Sequence, residues 1–138
     1  MGYDLNKERD EAIRAGEIAL SCLRDAYNEL DKARTWGVID IIGGSFLSSF
    51  LKRRRMQDAE DALDRADGAL EKFTKELSDV GRFANINVNT NDILGLADLF
   101  YENFLVDILM QNRIKTALSQ INDAIQKVEY AINQLKRL

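Results

Sequence analysis

The sequence predicts an all-α fold, an antiparallel bundle of three long helices plus one short helix. Proline is absent from all 138 residues, so no residue is forced to break a helix. Apolar side chains recur at alternating spacings of three and four over long stretches, which is typical of helices that bury one face. A chain of this length fits one domain with one core, so we expect residues 1–138 to form a single helical bundle.

The first helix is predicted over residues 4–34. Its apolar positions share one face, with Gly16 filling the one gap in the spacing: Ile13, Leu20, Leu23, Tyr27 and Leu30. Beside this face, an alanine recurs every seven residues, at Ala12, Ala19, Ala26 and Ala33. A row of small side chains allows a neighbouring helix to approach closely, so we expect this row to lie against a second helix.

Residues 36–45 are predicted to connect the first two helices. Trp36 and Gly37 begin the connection, and Gly43 and Gly44 precede Ser45, which is well placed to cap the next helix. In this interpretation the indole of Trp36 covers the end of the bundle, Asp40 bonds the backbone, and the glycines permit positive φ.

The second helix is predicted over 46–80, with Gly81 as its C-cap. Its apolar face is the most regular in the chain: Met56, Ala59, Leu63, Ala66, Leu70, Phe73, Leu77 and Val80. Its first turns differ, because an apolar patch at Phe46, Leu47, Phe50 and Leu51 is followed by the cations Lys52, Arg53, Arg54 and Arg55.

The third helical region follows an asparagine-rich loop over 82–92. Residues 93–110 are apolar at 13 of 18 positions, so a helix there needs partners on more than one side. We expect a short helix over 92–99 and a long one over 100–137. A four-helix bundle with a turn at Gln111 and Asn112 is the alternative.

The composition argues against enzymes and against nucleic-acid binding. Histidine is absent, which removes the commonest general base and transition-metal ligand. The net charge of −4 and pI of 4.9 disfavour phosphate backbones. We expect no catalytic residue, no cofactor and no metal, and interpret the acids Asp98, Glu102 and Asp107 as a solvated stripe. The single cysteine, Cys22, and the charged first residues favour a cytoplasmic protein without a secretory signal.

Surplus apolar surface predicts a protein-protein interaction or scaffold module that binds a protein partner or self-associates, for example as a dimer. The candidate interface residues are Phe46, Leu47, Phe50, Leu51, Phe100, Phe104, Leu105 and Ile108.

Two alternatives concern residues 43–55, at the end of the predicted connection and the start of the second helix. Segment 46–55 has the apolar patch and adjacent cations of a peripheral membrane anchor. Residues 43–45 could instead present backbone N–H groups at a helix start to an anion or nucleotide.

The pattern W-G-x-x-D-x-x-G-G, formed by Trp36, Gly37, Asp40, Gly43 and Gly44, resembles a family of uncharacterised bacterial helical proteins. The resemblance implies a helical bundle closed by an aromatic-rich segment and a heptad helix, similar to 99–138 here. It implies no activity.

Overall fold

A computed structural model describes residues 5–43, 46–82, 84 and 114–138; the side chains it describes are those of 5–32, 34, 57–82, 84 and 114–138. These residues form three helices, α1 (Leu5–Gly43), α2 (Phe46–Gly81) and α3 (Ile114–Lys136). No strand occurs among them, which confirms the all-α bundle. The predicted short helix at 92–99 and the alternative turn at Gln111 and Asn112 lie outside the described residues. The predicted loop at 82–92 lies outside them except for residues 82 and 84.

The bounds of α2 agree with the predicted helix, and the N–H of Ala84 donates to the carbonyl of Val80 at 3.0 Å just beyond its end. The predicted end of α1 at residue 34 is wrong. The helix continues through Trp36, Gly37 and Asp40 to Gly43, so no loop separates 36 from 43. One internal glycine costs a helix only about 1 kcal/mol, and no proline blocks the hydrogen-bond ladder.

Both α2 and α3 pack against α1, and both run antiparallel to it. An ideal Cβ on Gly16 would lie 2.8 Å from Phe73 Cε1 of α2 and 2.8 Å from Ile132 Cγ1 of α3. Further along α1, Arg24 Nη2 donates to Glu129 Oε1 at 2.9 Å. Residue numbers therefore fall along α3 as they rise along α1, which makes the two helices antiparallel. The three described helices therefore meet closely at Gly16.

The core between these helices is rich in alanine, and its largest fully buried side chain is Phe73. The alanine row of α1 is fully buried at Ala12, Ala19 and Ala26, as the sevenfold spacing predicted. Small side chains on packed helices allow their backbones to approach closely, which concentrates the contacts along a narrow seam. Ile13 and Tyr27, expected in the same seam, are only partly buried.

Candidate functional site

Three carboxylates meet where the start of α1 lies beside the end of α2. Glu8 stands in the first turn of α1, and Glu76 and Asp79 lie three residues apart near the end of α2. One oxygen from each carboxylate lies within 4.8 Å of the others, and all three residues are half-buried. The antiparallel hairpin alone brings them together, because 68 residues separate Glu8 from Glu76 in the chain.

The surroundings of Glu76 raise the pKa of its carboxyl above the ordinary 4.5. Burial is the main cause, because it penalises the charged form, and the neighbouring charges of Glu11, Asp79 and Glu8 add repulsion. Lys72, one turn earlier on α2, acts in the opposite direction. The cluster is thus a site of unfavourable negative charge at neutral pH.

Carboxylate oxygens in this arrangement are the ligands that Ca²⁺ and Mg²⁺ prefer. Half-exposed acidic groups also cluster on protein surfaces without binding an ion, and helix register alone accounts for this cluster. The expectation that the protein binds no metal therefore stays a prediction.

Glu76→Gln is expected to raise the stability of the protein at pH 7. The folded carboxyl binds its proton more tightly than the unfolded one, so the free energy of unfolding falls as pH rises from about 4.5 through the raised pKa. Glutamine has no charge to bury, so the midpoint of thermal unfolding should exceed that of the native protein at pH 7. The difference should shrink towards pH 4.

The matched control is Asp123→Asn, which neutralises an exposed carboxylate of α3. It should leave the pH dependence of unfolding close to that of the native protein. The stability difference between the Glu76→Gln protein and the native protein should be larger at pH 7 than at pH 4. An equal difference at the two pH values would contradict this account of the cluster.

A second acid, Asp67, is half-buried in the middle of α2. Its pKa is raised, first by burial and then by the charges of Glu71 and Asp64. Its Oδ1 is buried and has no hydrogen-bond partner among the described residues, as is also true of Glu29 Oε2 on α1. Glu29 Oε1 accepts from Lys32 Nζ at 3.4 Å, so that carboxylate is partly compensated.

The residues singled out from the sequence lie at the opposite end of the hairpin, which we call the distal end and define as residues 36–55. Trp36, Gly37, Asp40 and Gly43 belong to the last turns of α1. The apolar patch and the basic run belong to the first turns of α2: Phe46, Leu47, Phe50, Leu51, Lys52, Arg53, Arg54 and Arg55. Only Gly44 and Ser45, which lie outside the described residues, separate the two helices, so these groups share one end of the bundle.

This geometry weakens the physical case for an anion at 43–45. Because α1 ends at Gly43, the partial negative charge of its C-terminus lies within a few residues of the positive N-terminus of α2. The partial charges of the two helix ends therefore partly cancel one another there. Anion binding stays a prediction that no described contact supports.

The remaining candidate residues, Phe100, Phe104, Leu105 and Ile108, lie outside the described residues, as do the acids Asp98, Glu102 and Asp107. Conversely, no local pattern of residues predicts the cluster of Glu8, Glu76 and Asp79. Glu8 is one of several charged residues at the start of the first helix, and only the register of an antiparallel hairpin pairs it with residues near the end of α2.

Comparison with models of known families, with curated proteins and with solved structures finds no match for this chain. The resemblance carried by Trp36, Gly37, Asp40, Gly43 and Gly44 therefore stays a prediction. Within the described part of the chain, every helix is too short or too polar to cross a bilayer.

Proposed function

We propose that this protein is a non-enzymatic interaction or scaffold module that binds a protein partner, including a second copy of itself. The observation that carries the proposal is that α2 begins at Phe46, so that the apolar patch of Phe46, Leu47, Phe50 and Leu51 lies at one end of a long helical hairpin. At 1.5 Å per residue, the 39 residues of α1 and the 36 of α2 extend for about 58 and 54 Å.

The contact between Gly16 and Ile132 sets the level of α3 along the hairpin. Counting back from Ile132 places Ile114, the first residue of α3, beside roughly residue 34 of α1, because both helices rise equally per residue. The distal end therefore continues for about 13 Å past the described part of α3. An apolar patch at the end of a hairpin is typical of a surface on which a protein partner packs.

The chemistry of the described residues fits binding better than catalysis. The raised pKa values of Glu76 and Asp67 follow from burial and from like charges on the same hairpin. Such ion clusters perturb pKa values in structural settings as well as in active sites. The sequence also contains no histidine to complete a proton-transfer pair.

Self-association is expected at protein concentrations of roughly tens of micromolar, where moderate dimers form by mass action. Sedimentation equilibrium should give a mass above the 15.7 kDa of one chain. Leu47→Ser combined with Phe50→Ser should shift the population towards the monomer, because these substitutions remove apolar area from the distal end. Ile18→Ser is the matched control, since Ile18 is an exposed apolar residue of α1 outside that end.

A native protein that stays strictly monomeric over this range would remove self-association from the proposal. If the variant with Leu47→Ser and Phe50→Ser dissociated only as much as the Ile18→Ser control, the interface would lie outside the distal end.

A further inference from the structure

The three described helices occupy three corners of a bundle. Both α2 and α3 pack along α1, whereas the backbones of α2 and α3 hardly approach one another in the part of the chain that the structure describes. In a bundle of antiparallel helices, each helix packs against two neighbours and stands away from the helix diagonally opposite. Helix α1 therefore lies between α2 and α3. We call the position diagonally opposite α1, which holds no described helix, the fourth corner.

One flank of α2 faces the fourth corner, and side chains on that flank are buried. Glu76 lies beside Glu8 of α1 and marks the flank towards α1, while Phe73 points to the centre of the bundle. At about 100° per residue, Asp67 and Thr74 lie about 100–120° from Phe73, on the side away from Glu76. Thr74 and the Oδ1 atom of Asp67 are nevertheless buried. Contact with α1 does not explain this burial, because α1 lies on the other flank.

The corresponding flank of α3 is buried as well. Glu129 accepts a hydrogen bond from α1 and marks the flank towards it, while Ile132 reaches the centre at the glycine of α1. Beyond Ile132, about 120–160° from Glu129, lies a row of small residues. The exposed fractions of these residues are 2%, 0% and 0%, for Ala117, Ala124 and Ala131. An alanine side chain is a single methyl group, so water is excluded from it only where another element lies against the helix.

The connection between α2 and α3 must pass from one end of the bundle to the other. Both helices are antiparallel to α1, so they run in the same direction. Asp79, near the end of α2, lies beside Glu8, whereas Ile114 begins α3 beside roughly residue 34 of α1. Residues 82–113 therefore return over about 40 Å. A helix over residues 93–113 would extend for about 32 Å, and residues 82–92 are long enough to span the rest.

We propose that residues 93–113, which lie outside the described residues, form a helix that occupies the fourth corner and packs against both α2 and α3. This goes beyond the proposed function, because it gives the most apolar segment of the chain a partner within the same molecule. The candidate interface residues of that segment, Phe100, Phe104, Leu105 and Ile108, then belong to an intramolecular contact. The patch of 46–51 remains as the surface for a protein partner.

The composition of the segment fits a corner that is bounded on two sides. Residues 93–110 are apolar at 13 of 18 positions, more than one buried face requires. The small side chains of Ala117, Ala124 and Ala131 allow a neighbouring helix to approach closely and leave room for its large side chains. A second copy of the protein is disfavoured as the occupant, because the two flanks are already buried within a single chain.

Hydrogen exchange of the native full-length protein tests the proposal without any substitution. Amides of residues 93–110 should exchange at least roughly 100-fold more slowly than in an unfolded chain, because a packed helix opens only rarely. Protein at submicromolar concentration keeps self-association from contributing to this protection. Exchange of the segment at the rate of an unfolded chain would overturn the proposal.

Cross-linking tests the position of the segment. In a Cys22→Ser background, Asp98→Cys is combined with Lys127→Cys, an exposed position on α3 near the alanine row. Asp98 precedes Ile114 by 16 residues and Lys127 follows it by 13, so the two lie within about 5 Å of the same level. A bismaleimide of about 10 Å, close to the distance between the axes of packed helices, should join them within one chain.

The matched control combines Asp98→Cys with Ser21→Cys in the same background. Counting five residues from the contact between Gly16 and Ile132 places Ser21 level with Lys127. Ser21 is exposed and lies about 140° around α1 from Gly16, so α1 itself stands between it and the fourth corner. This pair should not cross-link. Equal yields for the two pairs, or a product with the mass of two chains only, would contradict the proposal.

A larger side chain in the alanine row should displace the segment. Ala124→Leu adds three carbon atoms to the flank facing the fourth corner, and overpacking of this kind should speed exchange of residues 93–110 by roughly 5- to 150-fold. Gln126→Leu, at an exposed position of the same helix, is the control and should leave that exchange unchanged. Equal exchange rates in the two variants would place the segment elsewhere. If Ala124→Leu does not fold, native exchange and cross-linking still decide the question.

These outcomes are independent of self-association, which sedimentation of the native protein measures. A monomer with a protected segment that cross-links to α3 refutes self-association alone. A dimer in which residues 93–110 exchange freely refutes the intramolecular helix alone.

Discussion

Phe73→Ala is expected to lower the free energy of unfolding by about 3–5 kcal/mol, the usual cost of removing a fully buried aromatic side chain. Phe73 has no exposed surface, and its ring lies where α1, α2 and α3 meet at Gly16. The neighbours cannot close the resulting cavity easily, because helix backbones hold them in place. Urea denaturation followed by circular dichroism measures the change.

Two comparisons separate this cavity effect from a general effect of losing an aromatic residue. Tyr130→Ala removes a side chain that is about half exposed, and should cost about 1 kcal/mol or less. Phe73→Leu retains most of the volume and should cost about 1–2 kcal/mol. A Phe73→Ala protein as stable as Tyr130→Ala would show that the three helices do not pack around the ring.

Gly16→Ala is expected to be less stable than Gly68→Ala by about 1–3 kcal/mol, although both replace a glycine within a helix. The added Cβ at Gly16 would lie 2.8 Å from both Phe73 Cε1 and Ile132 Cγ1, closer than carbon atoms pack. Both neighbours are buried, so relieving the overlap requires the core to shift.

Gly68 is the matched control because no atom lies within 4 Å of an added Cβ there. Alanine at that exposed position should stabilise the protein by about 0.5–1 kcal/mol through helix propensity. The same gain accompanies Gly16→Ala, so the difference between the variants isolates the packing term. Equal stabilities by chemical denaturation would mean that α1 is further from α2 and α3 than the structure indicates.

The sequence predicted most of what local periodicity controls. The seam of α2 from Ala59 to Val80 is buried as its spacing indicated, and its bounds were right within one residue. In α3, Ile121, Val128 and Leu135 recur every seven residues and are likewise fully buried. Such patterns suffice because a helix with one apolar stripe has few other ways to hide it from water.

The end of α1 was mispredicted because its signals are weak and local. Trp36 and Gly37 interrupt the apolar spacing, and tryptophan with glycine suggested a turn. Neither residue prevents a helix, and the structure continues the helix to Gly43. That correction changes the candidate site from a loop into the end of a helical hairpin.

Composition and periodicity suffice to predict the fold class, the buried helix faces and the kinds of residue that the distal end contains. Which of these residues meet depends on how the helices pack: Gly16 lies against Phe73 and Ile132, and Glu8 lies beside Glu76 and Asp79. Periodicity acts within about four residues along one helix, whereas these encounters depend on the antiparallel register between helices. That register is set by packing around small residues such as Gly16, and no local pattern encodes it.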